Sequence, residues 1–141
     1  MIVGLIVLSS CKENLKCDDE QVLETVKQIV FGDTKKYNEG IINDGGFFNL
    51  YPNDPERNNA INTPHERKYN VDEAKKELKS IENAKFVNIL TTDINEELKS
   101  CGCEASIRLS HSIFPIANNG DKFYYNVKTD STGKIIIEVL K

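Results

Sequence analysis

The chain has no tryptophan, one methionine and two histidines. Histidine is the commonest general acid–base and metal-binding side chain, so a supply of two restricts that chemistry. His65 falls in a turn-rich stretch and reads as a solvated surface residue. No Gly-x-Ser-x-Gly elbow, phosphate-cradling glycine loop or His-Glu-x-x-His pair occurs. The adjacent acids Asp18-Asp19 and Glu96-Glu97 read as a helix start and a turn, not as facing carboxylates in a cleft. Lysine and arginine form no block and the net charge is −4, which leaves nucleic acid without an electrostatic footprint. No apolar run approaches the roughly 18 residues that would span a bilayer.

What is present is enough for one core. With 39% hydrophobic and 28% charged residues in 141 positions, the composition is that of a single folded domain. A chain of this size buries roughly two-thirds of its surface on folding, so a metal staple is unnecessary. No catalytic residue, metal or cofactor is expected.

The first ten residues stand apart. Met1-Ile-Val-Gly-Leu-Ile-Val-Leu-Ser-Ser is apolar and then small, Cys11 follows, and polar sequence begins at Lys12. The run is too short to span a membrane and has the length of a signal-peptide core. Leu8-Ser9-Ser10-Cys11 resembles the bacterial lipobox, in which small residues fit the signal peptidase and the cysteine thiol accepts the lipid. The resemblance implies a signal peptide over residues 1–10, lipidation at Cys11 and a tether over residues 11–16. Several acyl chains on one residue anchor stably where one does not. No lysine or arginine precedes the apolar run. The free amino terminus, or a start further upstream, would supply that charge. The alternative is a buried first strand over residues 2–8 with Cys11 a plain thiol.

The remaining residues, 17–141, read as one α+β domain. Asp18 as N-cap and Gln21 three residues on start a helix whose Val22, Val26, Ile29 and Val30 share a face, with Gly32 placed to stop it. Residues 38–70 carry closely spaced turn signals and predict a long loop. Within it Phe47, Phe48 and Tyr51 cluster, either folding back on the core or forming a contact surface. A short second helix is predicted over 71–81. From residue 84 the period becomes 2, giving strands at 84–93, 101–111, 122–129 and 134–140. Asp130-Ser-Thr-Gly133 forms a hairpin turn with glycine in the left-handed position. The expected architecture packs the N-terminal helix and the short second helix on one face of a four-stranded antiparallel meander.

Four cysteines occur, at 11, 17, 101 and 103. With Cys11 acylated, an oxidising compartment leaves one disulfide and one thiol. Cys101 and Cys103 point to the same apolar face of their strand, and a bridge from Cys17 would pin the helix to the sheet. Cys103 is the favoured partner because it lies deeper in the strand, with Cys101 the alternative. The enclosed loop gives roughly 4 kcal/mol in the chain-entropy model. A metal site from Cys101, Cys103 and His111 fails on distance, because eight residues of strand separate Cys103 from His111 by about 26 Å.

The segments Cys17-Asp-Asp…Val22…Thr25-Val26, Val87-Asn-Ile-Leu-Thr-Thr-Asp93, Cys103-Glu-Ala105 and Tyr125-Asn-Val127…Asp130…Gly133…Val139 resemble small bacterial periplasmic and outer-membrane lipoproteins with cystatin-like rolls. The resemblance covers the first helix and residues 84–140. It implies a helix tied by a disulfide to a meander, in the bacterial cell envelope, and no activity. Lys12 after Cys11 points by the same analogy to the outer membrane, facing the periplasm or the cell surface. The expected function is a non-enzymatic binding module, membrane-held through Cys11, that contacts an envelope protein or ligand through Phe47, Phe48 and Tyr51. The alternative is a small-molecule-binding or enzymatic roll with a pocket between helix and sheet.

Overall fold

The computed structural model describes residues 2–4, 16–111 and 117–140. In chain order these form β1 (Ile2–Gly4), α1 (Glu20–Asn43), α2 (Pro55–Ile61), α3 (Pro64–Glu82), β2 (Lys85–Asn95), β3 (Ser100–Arg108), β4 (Lys122–Thr129) and β5 (Ile135–Leu140). β2 to β5 are an antiparallel meander, as the short connections require, and β1 lies antiparallel along β5, giving the order β1-β5-β4-β3-β2. The class is α+β with the N-terminal helix against a meander.

Alternation in β3 decides which face is covered. Cys101, Cys103, Ala105 and Ile107 point inward, and Tyr125, Val127, Ile135, Ile137 and Val139 continue that face across β4 and β5. Val22 and Val26 of α1 close over it and are fully buried. A second cluster, Phe31, Ile81, Ala84, Ile107, Leu109 and Ala117, seals the end where α1 leaves the sheet. β2 departs from regular pairing at two places, between Val87 and Leu90 and between Thr91 and Asp93, and Asn88 takes the left-handed backbone (φ 52°) that the first irregularity demands. At Gly102, opposite the second, a Cβ would lie 2.9 Å from Thr92 Oγ1, so the strands cross closely there.

The helical region differs from the sequence expectation at several points. α1 does not stop at Gly32 but runs to Asn43, because Phe31, Thr34, Asn38 and Ile41 form a further buried stripe in which two members are polar. The predicted loop over 38–70 is therefore the end of α1, a connection over 44–54, α2 and the start of α3. The short second helix of 71–81 begins instead at Pro64, where Thr63 and Glu66 form a reciprocal capping box. α3 also packs along the second half of α1, not broadly over the sheet. Phe31 shares a cluster with Ile81, and Asn38 donates to Glu77, so the two helices run in opposite directions. The N-cap of α1 is Asp19, whose side chain accepts from the Gln21 backbone, one residue later than expected.

Of the segment read as signal peptide, lipidation site and tether, only residues 2–4 and 16 are described. Ile2–Gly4 pairs with Val139–Ile137, which agrees over three residues with the alternative of a first strand. Cys11, with residues 5–15, lies outside the described residues. Among the described residues no helix is long and apolar enough to cross a membrane.

Candidate functional site

Phe47, Phe48 and Tyr51 belong to neither core cluster. Two asparagines of the α2 region hold the backbone that carries them. Asn62, the C-cap of α2, accepts from Phe48 N (2.8 Å) and donates to Phe48 O (2.7 Å) and Asn58 O (2.8 Å). Asn58, one turn earlier, accepts from Tyr51 N (2.9 Å) and donates to Tyr51 O (2.6 Å) and Asn49 Oδ1 (2.8 Å). Both asparagines are buried, and amides fill the role because each offers a donor and an acceptor to an extended backbone. The segment also abuts α3: a Cβ at Gly46 would overlap the carbonyl of Arg67, and Gly46 itself has a φ of 83°.

With the backbone fixed, the rings meet partners at the surface. The Arg57 guanidinium sits 3.8 Å from the Tyr51 ring centroid, Arg67 lies 5.5 Å from that of Phe47, and Phe48 contacts Tyr37 of α1 at 6.4 Å between centroids. Phe47 is 37% exposed, Leu50 61% and Tyr37 58%. Beside them a groove of about 180 Å³ runs between α1 and α3, lined by Tyr37, Ile41, Phe48, Asn70, Glu73 and Glu77 among others. Glu77 accepts from the buried Asn38 amide at 3.0 Å, and Glu73 binds Lys76 and approaches His111 Nε2 at 3.6 Å. The Glu73 hydrogen bond and charge raise the Lys76 pKa. Between α1 and the sheet, Val22, Val26, Tyr125 and Val127 pack together.

The sulfurs form a separate cluster under α1. Cys17 and Cys103 are joined, with Cα atoms 5.6 Å apart, as the sequence favoured over the Cys101 alternative. The Cys101 thiol remains within 3.9 Å of each bridge sulfur, and burial raises its pKa. Tyr125, wholly buried and opposite Cys103 in the register, donates to Cys17 O at 2.7 Å, and burial pushes its phenol pKa strongly up.

His65 is exposed, as expected for a surface residue. His111 is not near the cysteines: its backbone exchanges hydrogen bonds with Ser80 and its ring faces Glu73. What sequence reasoning missed is the asparagine clamp and Tyr37. The clamp had one visible signal, two asparagines four apart on a helix that the capping box would have delimited. No family model, no curated protein and no solved structure matches this chain.

Proposed function

We propose that this chain is a lipid-anchored protein of the bacterial cell envelope, held through Cys11 in the outer membrane, and that it is a non-enzymatic binding module. Its contact surface is the segment around Phe47, Phe48 and Tyr51, extended by Leu50 and Tyr37. The anchor rests on Leu8-Ser9-Ser10-Cys11. The observation that carries the binding reading is the clamp by Asn58 and Asn62, which spends two buried amides on the shape of a surface segment outside the core. A pre-shaped loop presents apolar side chains without an ordering penalty on binding. A photo-crosslinking side chain at Leu50 in cells should give one discrete adduct, absent when the same group replaces exposed Glu96. Equal adducts from both positions, or none from Leu50, would remove the binding surface from this reading.

The pairing of Ile2–Gly4 with β5 favours a second reading, in which the first residues stay with the domain as an edge strand and Cys11 is a plain thiol. Intact mass of protein made with its own leader and extracted from membranes separates the two. Loss of residues 1–10 with acyl mass on Cys11 establishes the anchor. A full-length, unacylated chain establishes the edge strand and withdraws the envelope location.

A further inference from the structure

Cys17, Cys101 and Cys103 bring three sulfurs together, all buried, each within 4.8 Å of the others. Two of the three separations are 3.9 Å, and the third is closed by the disulfide. A metal about 2.3 Å from each of three thiolates in a plane sets the sulfurs about 4.0 Å apart. Cys101 therefore already stands where a third ligand would stand, and opening the bridge lets Cys17 and Cys103 complete the triangle. Cys17 is not held by the bridge alone. Its carbonyl accepts from the buried Tyr125 hydroxyl, and Thr91 Oγ1 lies 3.5 Å from its sulfur, two contacts that do not depend on the bridge.

We infer that the reduced protein binds one soft, thiophilic cation, Cu(I), through the sulfurs of Cys17, Cys101 and Cys103. Among the described residues the donor group stops at these three sulfurs. Thiolates select soft ions, and Cu(I) is a soft ion that three sulfurs in a plane can hold. A dithiol supplies the two electrons and two protons that convert the bridge to two thiols, and leaves as its own disulfide. The three thiols then lose three protons as three copper–sulfur bonds form. The bridged and metal-bound states exclude each other because Cys17 and Cys103 serve both.

The test uses the full chain with Cys11→Ser, reduced by a dithiol, freed of it without oxygen and titrated with Cu(I). Thiolate-to-copper absorption and bound copper should saturate at one ion per chain. Cys101→Ser keeps the disulfide partners, so its oxidised form should fold. Its reduced form should bind copper at least about tenfold more weakly, the least expected when a ligand is lost. No uptake by the reduced parent, or affinity within twofold in the Cys101→Ser variant, would overturn the inference. If reduction alone abolishes the circular-dichroism signal of the fold, one equivalent of Cu(I) must restore it in the parent and not in the variant. Failure to restore it overturns the site equally.

Discussion

The Asn62 side chain accepts from the backbone N–H of Phe48 and donates to the C=O of the same residue, the exchange a neighbouring strand would make. Asn58 repeats it on Tyr51, so two amides one helical turn apart replace a strand for the segment between them. Asn62→Ala removes three hydrogen bonds to backbone groups, Phe48 N–H, Phe48 C=O and Asn58 C=O, at about 1 kcal/mol each plus desolvation. The expected loss is about 2–4 kcal/mol in urea unfolding. A loss below about 1 kcal/mol would mean that water replaces the clamp freely.

The disulfide closes a separation of 86 residues, for which the chain-entropy model gives about 4–5 kcal/mol. Cys103→Ala is expected to lower stability by about 2–5 kcal/mol. Cys101→Ala, which deletes a buried thiol and keeps the bridge, should lower it by no more than about 1.5 kcal/mol. Parallel non-reducing unfolding curves check the order. The reverse order would assign the native bridge to Cys101.

Thr34 Oγ1 is buried within the α1 stripe and has no hydrogen-bond partner among the described residues. Thr34→Val keeps the shape and removes the stranded hydroxyl. A gain of about 1 kcal/mol is expected, the low end of the penalty for an unpaired buried polar group. A thermal midpoint that falls would show that the hydroxyl is bonded in solution.

Asp130 accepts from Thr132 N, Thr132 Oγ1 and Lys134 N in the β4–β5 turn, and the Thr132 side-chain bond leads in lowering its pKa below the ordinary 3.8. A folded pKa below the unfolded one stabilises the fold above the unfolded value, and the contribution disappears as pH falls through the folded value. Carbon-detected NMR should place the Asp130 midpoint below the ordinary 3.8. Asp130→Asn should flatten the acid limb of the stability curve. An Asp130 midpoint at or above 3.8 would contradict the turn geometry.

The sheet was legible because burial there follows alternation: Cys101, Cys103, Ala105, Ile107 and Leu109 face one way, and every one is buried. The β4–β5 turn followed from Asp130 and Gly133, and glycine has the positive φ expected (82°). The helices were less legible because their buried positions include Thr34, Asn38, Asn58, Asn62 and Ser80. A hydrophobic pattern scores these residues as solvent-facing, so it ends α1 early and hides α2 among turn signals. Thr63-x-x-Glu66 was readable as a capping box and would have moved the start of α3 to its true place. For the site, the aromatic cluster was visible as composition. Its mode of attachment was not, since it depends on side chains reaching backbone 7 and 14 residues away in sequence.

The covalent link between Cys17 and β3 also fixes where a mechanical load enters the domain. Tension applied to the chain between β1 and Cys17, from the side of Cys17, reaches the bridge before it reaches α1, which begins at Glu20. From Cys17 it passes through the bridge into β3 and, through the Tyr125 hydroxyl, into β4, the two central strands of the meander. The helix is bypassed, and with it the α1–α3 hairpin that carries Tyr37 and abuts the clamped aromatic segment. Pulling on the chain just before Cys17 would leave that surface unstrained until the sheet itself gave way.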